Sequence, residues 1–143
     1  METGTKIGEV ARKKFTNGKL IDKGHQEHEA AVQMTQNALA DPAIQHIFEA
    51  AFSFDDVDIR IDILSKRADG CLDITEVKSS TKVKPAYIQD IAVQLYVMKE
   101  LGHDIAQTRL MYVNSSYVYQ GGEYDLDEYF IIEDQSEEQG QRI

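Results

Sequence analysis

Glu76-Val77-Lys78 sets a carboxylate and an ammonium side by side, because side chains two apart on a strand leave the same face. Their same-face neighbours Leu72 and Ile74 are apolar, so the charged pair emerges from a core face, where charge is costly unless something binds it. Asp62 lies on the preceding strand, in Ile59-Arg60-Ile61-Asp62-Ile63-Leu64. An aspartate and a glutamate on neighbouring strands make a cradle of hard oxygens for a divalent cation such as Mg²⁺. Lys78 beside them can hold or polarise a water or a phosphate oxygen. The plainer alternatives are an ion pair at the sheet's end for Glu76 and Lys78, and a solvated face for Asp58, Arg60 and Asp62.

Gln94 is the third candidate. It is the only polar residue among Ile91, Ala92, Val93, Leu95, Tyr96, Val97 and Met98, and a buried amide must find partners. Tyr87, Asp90 and Gln94 are spaced by three and four, which makes one polar stripe on an apolar helix. A structural hydrogen bond from helix to sheet is the competing role. Glu49 faces opposite Phe48, Ala50 and Phe52, either as a supporting carboxylate or as the exposed side of a strand. His25 and His28 are three apart, within reach of a metal or simply on a solvated loop.

The elements that position these residues follow from periodicity. Ile7, Val10, Ala11 and Phe15 predict a first helix stopped by Asn17-Gly18, and a second is expected from Glu27 to Leu39, ended by Asp41-Pro42. Three strands follow at His46–Phe54, Val57–Leu64 and Cys71–Lys78, with turns at Asp55-Asp56 and Asp69-Gly70. Pro85 and Gly102 bracket a long helix to Leu101, buried against the sheet. A strand at Ile105–Asn114 and a shorter one at Tyr117–Tyr119 complete the pattern, with the acidic end partly helical or frayed. The expected class is α/β, with a mixed central sheet of four to five strands flanked by helices.

The chain has 143 residues, enough for one domain. One cysteine, Cys71, excludes an internal disulfide, a cysteine-based zinc site and an iron–sulfur cluster. No apolar run exceeds four residues and the first twenty residues hold no apolar leader, so the expectation is a cytoplasmic protein with no membrane partner. The net charge of −10 argues against nucleic acid only at first sight. Residues 121–140 hold eight acids and no base, and the first 120 residues balance 14 bases against 17 acids.

Asp62, then Glu76-Val77-Lys78 at a strand's end, then Gln94 on a helix resemble the PD-(D/E)XK nuclease superfamily, and within it the RecB-like nucleases. The similarity runs from about Ile7 to Asp134 and is carried also by Ile47-Phe48-Glu49-Ala50-Ala51-Phe52 and Ser79-Ser80-Thr81. It implies a restriction-endonuclease-like core over residues 1–134, with 135–143 an acidic tail or the start of a linker to further domains. It implies Mg²⁺ or Mn²⁺ held by Asp62, Glu76 and the backbone carbonyl of Val77, with Lys78 positioning or activating the attacking water. Gln94 matches the glutamine of the family's Gln-x-x-x-Tyr motif, but position 98 is Met98, and Tyr96 and Tyr87 are both displaced from it. The first-helix metal-binding histidine of that family is missing from Gly8-Glu9-Val10-Ala11-Arg12, leaving Glu9 or nothing in its place. The expected function is a metal-dependent DNA nuclease, an exonuclease in the first instance, hydrolysing phosphodiester bonds. The alternative is a catalytically inactive nuclease-like module that binds nucleic acid or a protein partner. A third reading is an interaction domain whose acidic end docks a basic partner.

Overall fold

The computed structural model describes residues 2–118, 121–122 and 125–135, and side chains from residue 7 onward among them. The element order is α1 (Glu2–Arg12), β1 (Gly18–Leu20), α2 (His28–Ala40), β2 (His46–Phe54), β3 (Val57–Lys66), β4 (Leu72–Val77), α3 (Pro85–Glu100), β5 (Ile105–Val113), α4 (Leu126–Tyr129) and β6 (Phe130–Asp134). The strands form one mixed sheet in the order β1-β2-β3-β4-β5-β6. β2, β3 and β4 are an antiparallel meander, α3 crosses over, and β5 runs parallel to β4. The class is α/β as expected, but the sheet has six strands rather than four to five.

The two additional strands are short. β1 is three exposed residues lying parallel to the start of β2, and Gly18 is required there because a Cβ would fall 2.2 Å from the Phe48 ring. α1 ends at Arg12, and Asn17 turns the chain with a positive φ of 57° before β1 begins. β6 pairs antiparallel with β5 and buries Phe130, so this stretch of the acidic end is a strand after one turn of helix. No strand forms at Tyr117 and Val118; Tyr119 lies outside the described residues, as does the expected tail beyond Gln135.

The two hairpins were expected to be equivalent and are not. Asp55 and Asp56 both take positive φ, 50° and 64°, giving the two-residue turn whose twist suits a hairpin. Between β3 and β4 the last pair is Lys66↔Leu72, so the loop runs from residue 67 to 71. Gly70 takes φ 90° there, and the Arg67 N–H donates to the Cys71 carbonyl. That longer loop sets a register whose last pair is Ile63↔Thr75, and the same spacing carried one residue further sets Asp62 across from Glu76.

Apolar side chains of β2, β3 and β4, among them Ile47, Phe52, Ile61, Leu64 and Ile74, pack with Ala31 and Ala38 of α2 and Val97 and Met98 of α3. α1 packs Ile7 and Ala11 against Val77, Met111 and Phe130. β1 pairs with β2 only at residues 46–48, so the outer edge of β2 beyond that point needs other partners. Thr35 of α2 accepts from the Ala51 N–H at 2.9 Å and His28 Nε2 reaches the Phe52 carbonyl at 3.2 Å. Thr35→Val keeps the shape but leaves the Ala51 N–H buried without its acceptor, so a loss of about 1–3 kcal/mol is expected in urea unfolding. Thr35→Ser should retain most of that stability; equal losses in both variants would place the effect in packing instead.

Candidate active site

Asp62 and Glu76 share a face of the sheet because directly opposed residues on antiparallel strands point the same way. The Glu76 carboxylate is near enough to act on the charge of Asp62. The Asp62 carboxylate accepts the Val77 N–H at 2.8 Å. Glu76 is buried, receiving Gln94 Nε2 at 3.1 Å on one oxygen and Lys78 Nζ at 3.1 Å on the other. All four predicted side chains therefore meet, with Val77 between them.

Gln94 comes from the middle of α3, where the 85–100 helix crosses the sheet, and it is buried with its Oε1 unpartnered. Lys78 leaves the end of β4 and also pairs with Asp90 at 2.9 Å, while its ammonium sits 4.8 Å from the centroid of the Tyr87 ring. The Tyr87-Asp90-Gln94 stripe thus holds both candidate residues of β4's end, Asp90 and Tyr87 at Lys78 and Gln94 at Glu76. Burial acts to lower the Lys78 pKa, but the Glu76 and Asp90 carboxylates outweigh it and the net direction is upward. Lys78 is consequently a fixed cation at neutral pH, suited to positioning a water or phosphate oxygen and not to removing a proton.

Desolvation, then the Glu76 charge beside it, push the Asp62 carboxyl well above its ordinary range, against the lowering effect of the Val77 N–H. Glu49 adds to that push. It sits mid-strand with φ 60°, opposite Asp62 at the one point where the β2–β3 ladder is interrupted, and it lines the same cleft. Glu49 is thereby a third carboxylate beside the pair, which alternation along the strand did not distinguish from an exposed side.

The cleft has a volume of about 540 Å³ and is walled by α1, the segment 20–24, the middle of β3 and the end of β4. Arg12, Lys23, Arg60 and Lys78 line it together with Asp22, Glu49 and Asp62. Arg60 is the residue that sequence reading assigned only to a solvated face. It donates to three carbonyls, Glu49 and Lys23 at 2.8 Å and Ile21 at 3.1 Å, and so braces the 20–24 segment against the sheet.

Other expected candidates lie elsewhere. Glu9 is exposed and outside the cleft wall, and His28 bonds Phe52 and Ser53 on the β2 edge. His25 belongs to a 3-10 turn that does not line the cleft. Tyr96 is 48% exposed against Phe54, and Met98 is a core residue. Of the two displaced tyrosines, only Tyr87 reaches the constellation. No family model matches the chain, and no curated protein matches it.

The donor set suits a hard divalent cation better than a soft one. Asp62 and Glu76 offer only oxygens, and two neighbouring, largely buried carboxylates are a charge imbalance that a cation relieves. The unpartnered Gln94 oxygen adds an acceptor beside them. No group of three His, Cys, Asp or Glu side chains arranged to hold a metal ion exists among the described residues. A resident ion would therefore keep several waters, as Mg²⁺ commonly does with one or two carboxylates.

In the metal-free protein the raised Asp62 pKa destabilises the ionised form. Its contribution to stability is full below the ordinary 3.8 and is lost as pH rises through the raised value. The thermal unfolding temperature measured in chelator should fall across that window. Asp62→Asn, which retains an oxygen for the Val77 N–H, should flatten the profile and unfold at a higher temperature than wild type above it. An unchanged profile in Asp62→Asn would assign the pH dependence to another group.

Proposed function

We propose that this chain is a metal-dependent DNA nuclease with a restriction-endonuclease-like core of the RecB-like type, hydrolysing phosphodiester bonds. The observation that carries the reading is the linked cluster of Asp62, Glu76, Lys78 and Gln94, drawn from two strands and a helix, at the margin of a cleft that Asp62 and Lys78 line. Mg²⁺ or Mn²⁺ would be held by Asp62, Glu76 and the Val77 carbonyl. When bound, the ion supplies positive charge against the phosphate and makes a water more acidic.

The chain's own residues do the rest. Gln94 fixes one Glu76 oxygen, which leaves the other directed to Lys78. The Val77 N–H holds the Asp62 carboxylate, so both acids are oriented before substrate arrives. Lys78, kept protonated by its two carboxylate partners, presents a cation to the oxygens on which charge builds during cleavage. An exonuclease is the first expectation, and DNA the substrate.

The second reading, an inactive nuclease-like module that binds nucleic acid or protein, is favoured by one observation. Two side-chain carboxylates with no third in chelating position make a sparse cation site among the described residues.

Cleavage of plasmid and labelled oligonucleotides with Mg²⁺ or Mn²⁺, alongside calorimetric metal titration, separates the two readings. Lys78→Ala should lower the cleavage rate about 100-fold or more, as loss of a charge-stabilising group does, while metal affinity holds or rises slightly. Asp62→Ala should lose metal binding and cleavage together. Wild-type protein that binds metal and DNA yet never cuts would leave the inactive module as the function.

A further inference from the structure

We infer that Arg12 and Lys23 form a subsite for a backbone phosphate of the nucleic-acid strand, in the cleft that Asp62 and Lys78 line. The inference deepens the proposed function, since the identity of the strand rests on that reading. Four cations line the cleft, and two of them are already committed. Lys78 is held by Glu76 and Asp90, and Arg60 by three backbone carbonyls.

Arg12 and Lys23 are differently placed. Arg12 ends α1, is half-buried in the cleft wall, and has no carboxylate partner among the described residues. Its guanidinium folds back along the helix, where a Cβ at Gly8 would lie 3.9 Å from Nη2. A guanidinium in the cleft wall without a carboxylate partner offers two parallel donors to a phosphate. Lys23 pairs with Glu27 at 3.6 Å with the lysine 37% exposed, a contact of the kind worth only tenths of a kcal/mol and readily exchanged.

Arg60 links the two sides of the cleft. By holding the Ile21 and Lys23 carbonyls it fixes the segment that carries Lys23, at a position two residues from Asp62 on the same strand face. The subsite and the carboxylate pair are therefore positioned by one strand. Asp22 and Glu49 also line the cleft, so a small free anion meets repulsion there. A strand that engages the cleft at more than one phosphate gains over a free ion by holding several contacts at once.

The test is fluorescence anisotropy with the full chain in Ca²⁺, using a fluorescein-labelled oligonucleotide across a salt series. Arg12→Gln and Lys23→Gln should each weaken binding and lower the slope of log affinity against log salt by about 0.7–0.9, the value of one phosphate contact. Arg12→Lys should regain part of the slope, and Lys99→Gln, on the last turn of α3, should leave it unchanged. Thermal unfolding of each variant identifies any loss due to misfolding. Unchanged slopes in both variants while wild type binds, or no wild-type binding at all, would overturn the subsite. Displacement of the oligonucleotide by inorganic phosphate at matched phosphate concentration would overturn its preference for a strand. Binding with the expected slopes but no cleavage in Mg²⁺ or Mn²⁺ would support the subsite and sink the nuclease reading alone.

Discussion

Two carboxylates directly opposed on adjacent strands repel, and the surroundings of Asp62 and Glu76 are organised to hold them there. The pair register alone dictates the juxtaposition, because a shift of one residue would send one acid to the other face of the sheet. Each acid is then secured from a different direction: Asp62 by the backbone of the neighbouring strand, Glu76 by a helix and by its own strand's lysine. A site built in this way is stiff in its scaffold and unbalanced in its charge. That combination costs stability in the unligated protein and favours occupation by a cation.

The register of β2 against β3 explains the burden placed on side chains around β2. Glu49 falls opposite Asp62, adopts a positive φ, and interrupts the ladder at that point. Arg60 accepts the consequence by donating to the Glu49 carbonyl, and with its remaining donors it ties down the segment after β1. Thr35 and His28 supply partners farther along the same edge, where the three-residue β1 no longer reaches. Polar groups that look incidental in the sequence are thus the partners of backbone groups that the short β1 leaves unpaired.

Local signals made the central meander and α3 legible. Alternation at residues 57–63, the Asp55-Asp56 turn, and the Pro85 and Gly102 brackets each describe an element whose conformation is decided by its own residues. The site residues were legible for the same reason, as polar exceptions in apolar surroundings. What escaped was decided elsewhere. Asp69-Gly70 looks like a two-residue turn, yet Gly70 serves as the positive-φ residue of a loop from 67 to 71, and that difference sets the register of the acids. β1 has no buried face to announce it, and β6 is short with only Phe130 fully buried, so both depend on pairing partners distant in sequence. Arg60 carries no local sign of its role, because its acceptors are nearly forty residues upstream and on the neighbouring strand.

Net charge proved equally uninformative, for a physical reason. Surface charges more than about 8–10 Å apart are largely screened from each other at moderate salt, so a net charge summed over the whole chain does not by itself set the field in a cleft. Inside the cleft, low-dielectric walls strengthen each nearby charge. There Lys78 offsets Glu76, while Asp62 faces Glu76 and Glu49 without a cation of its own. A divalent ion at Asp62 and Glu76 would supply the charge that Lys78 now gives to Glu76. Lys78 would then be held mainly by Asp90, with its ammonium turned toward the cleft rather than toward the acid. The position of Lys78 between two carboxylates on opposite sides, one on the strand and one on the helix, is what makes such a transfer geometrically simple.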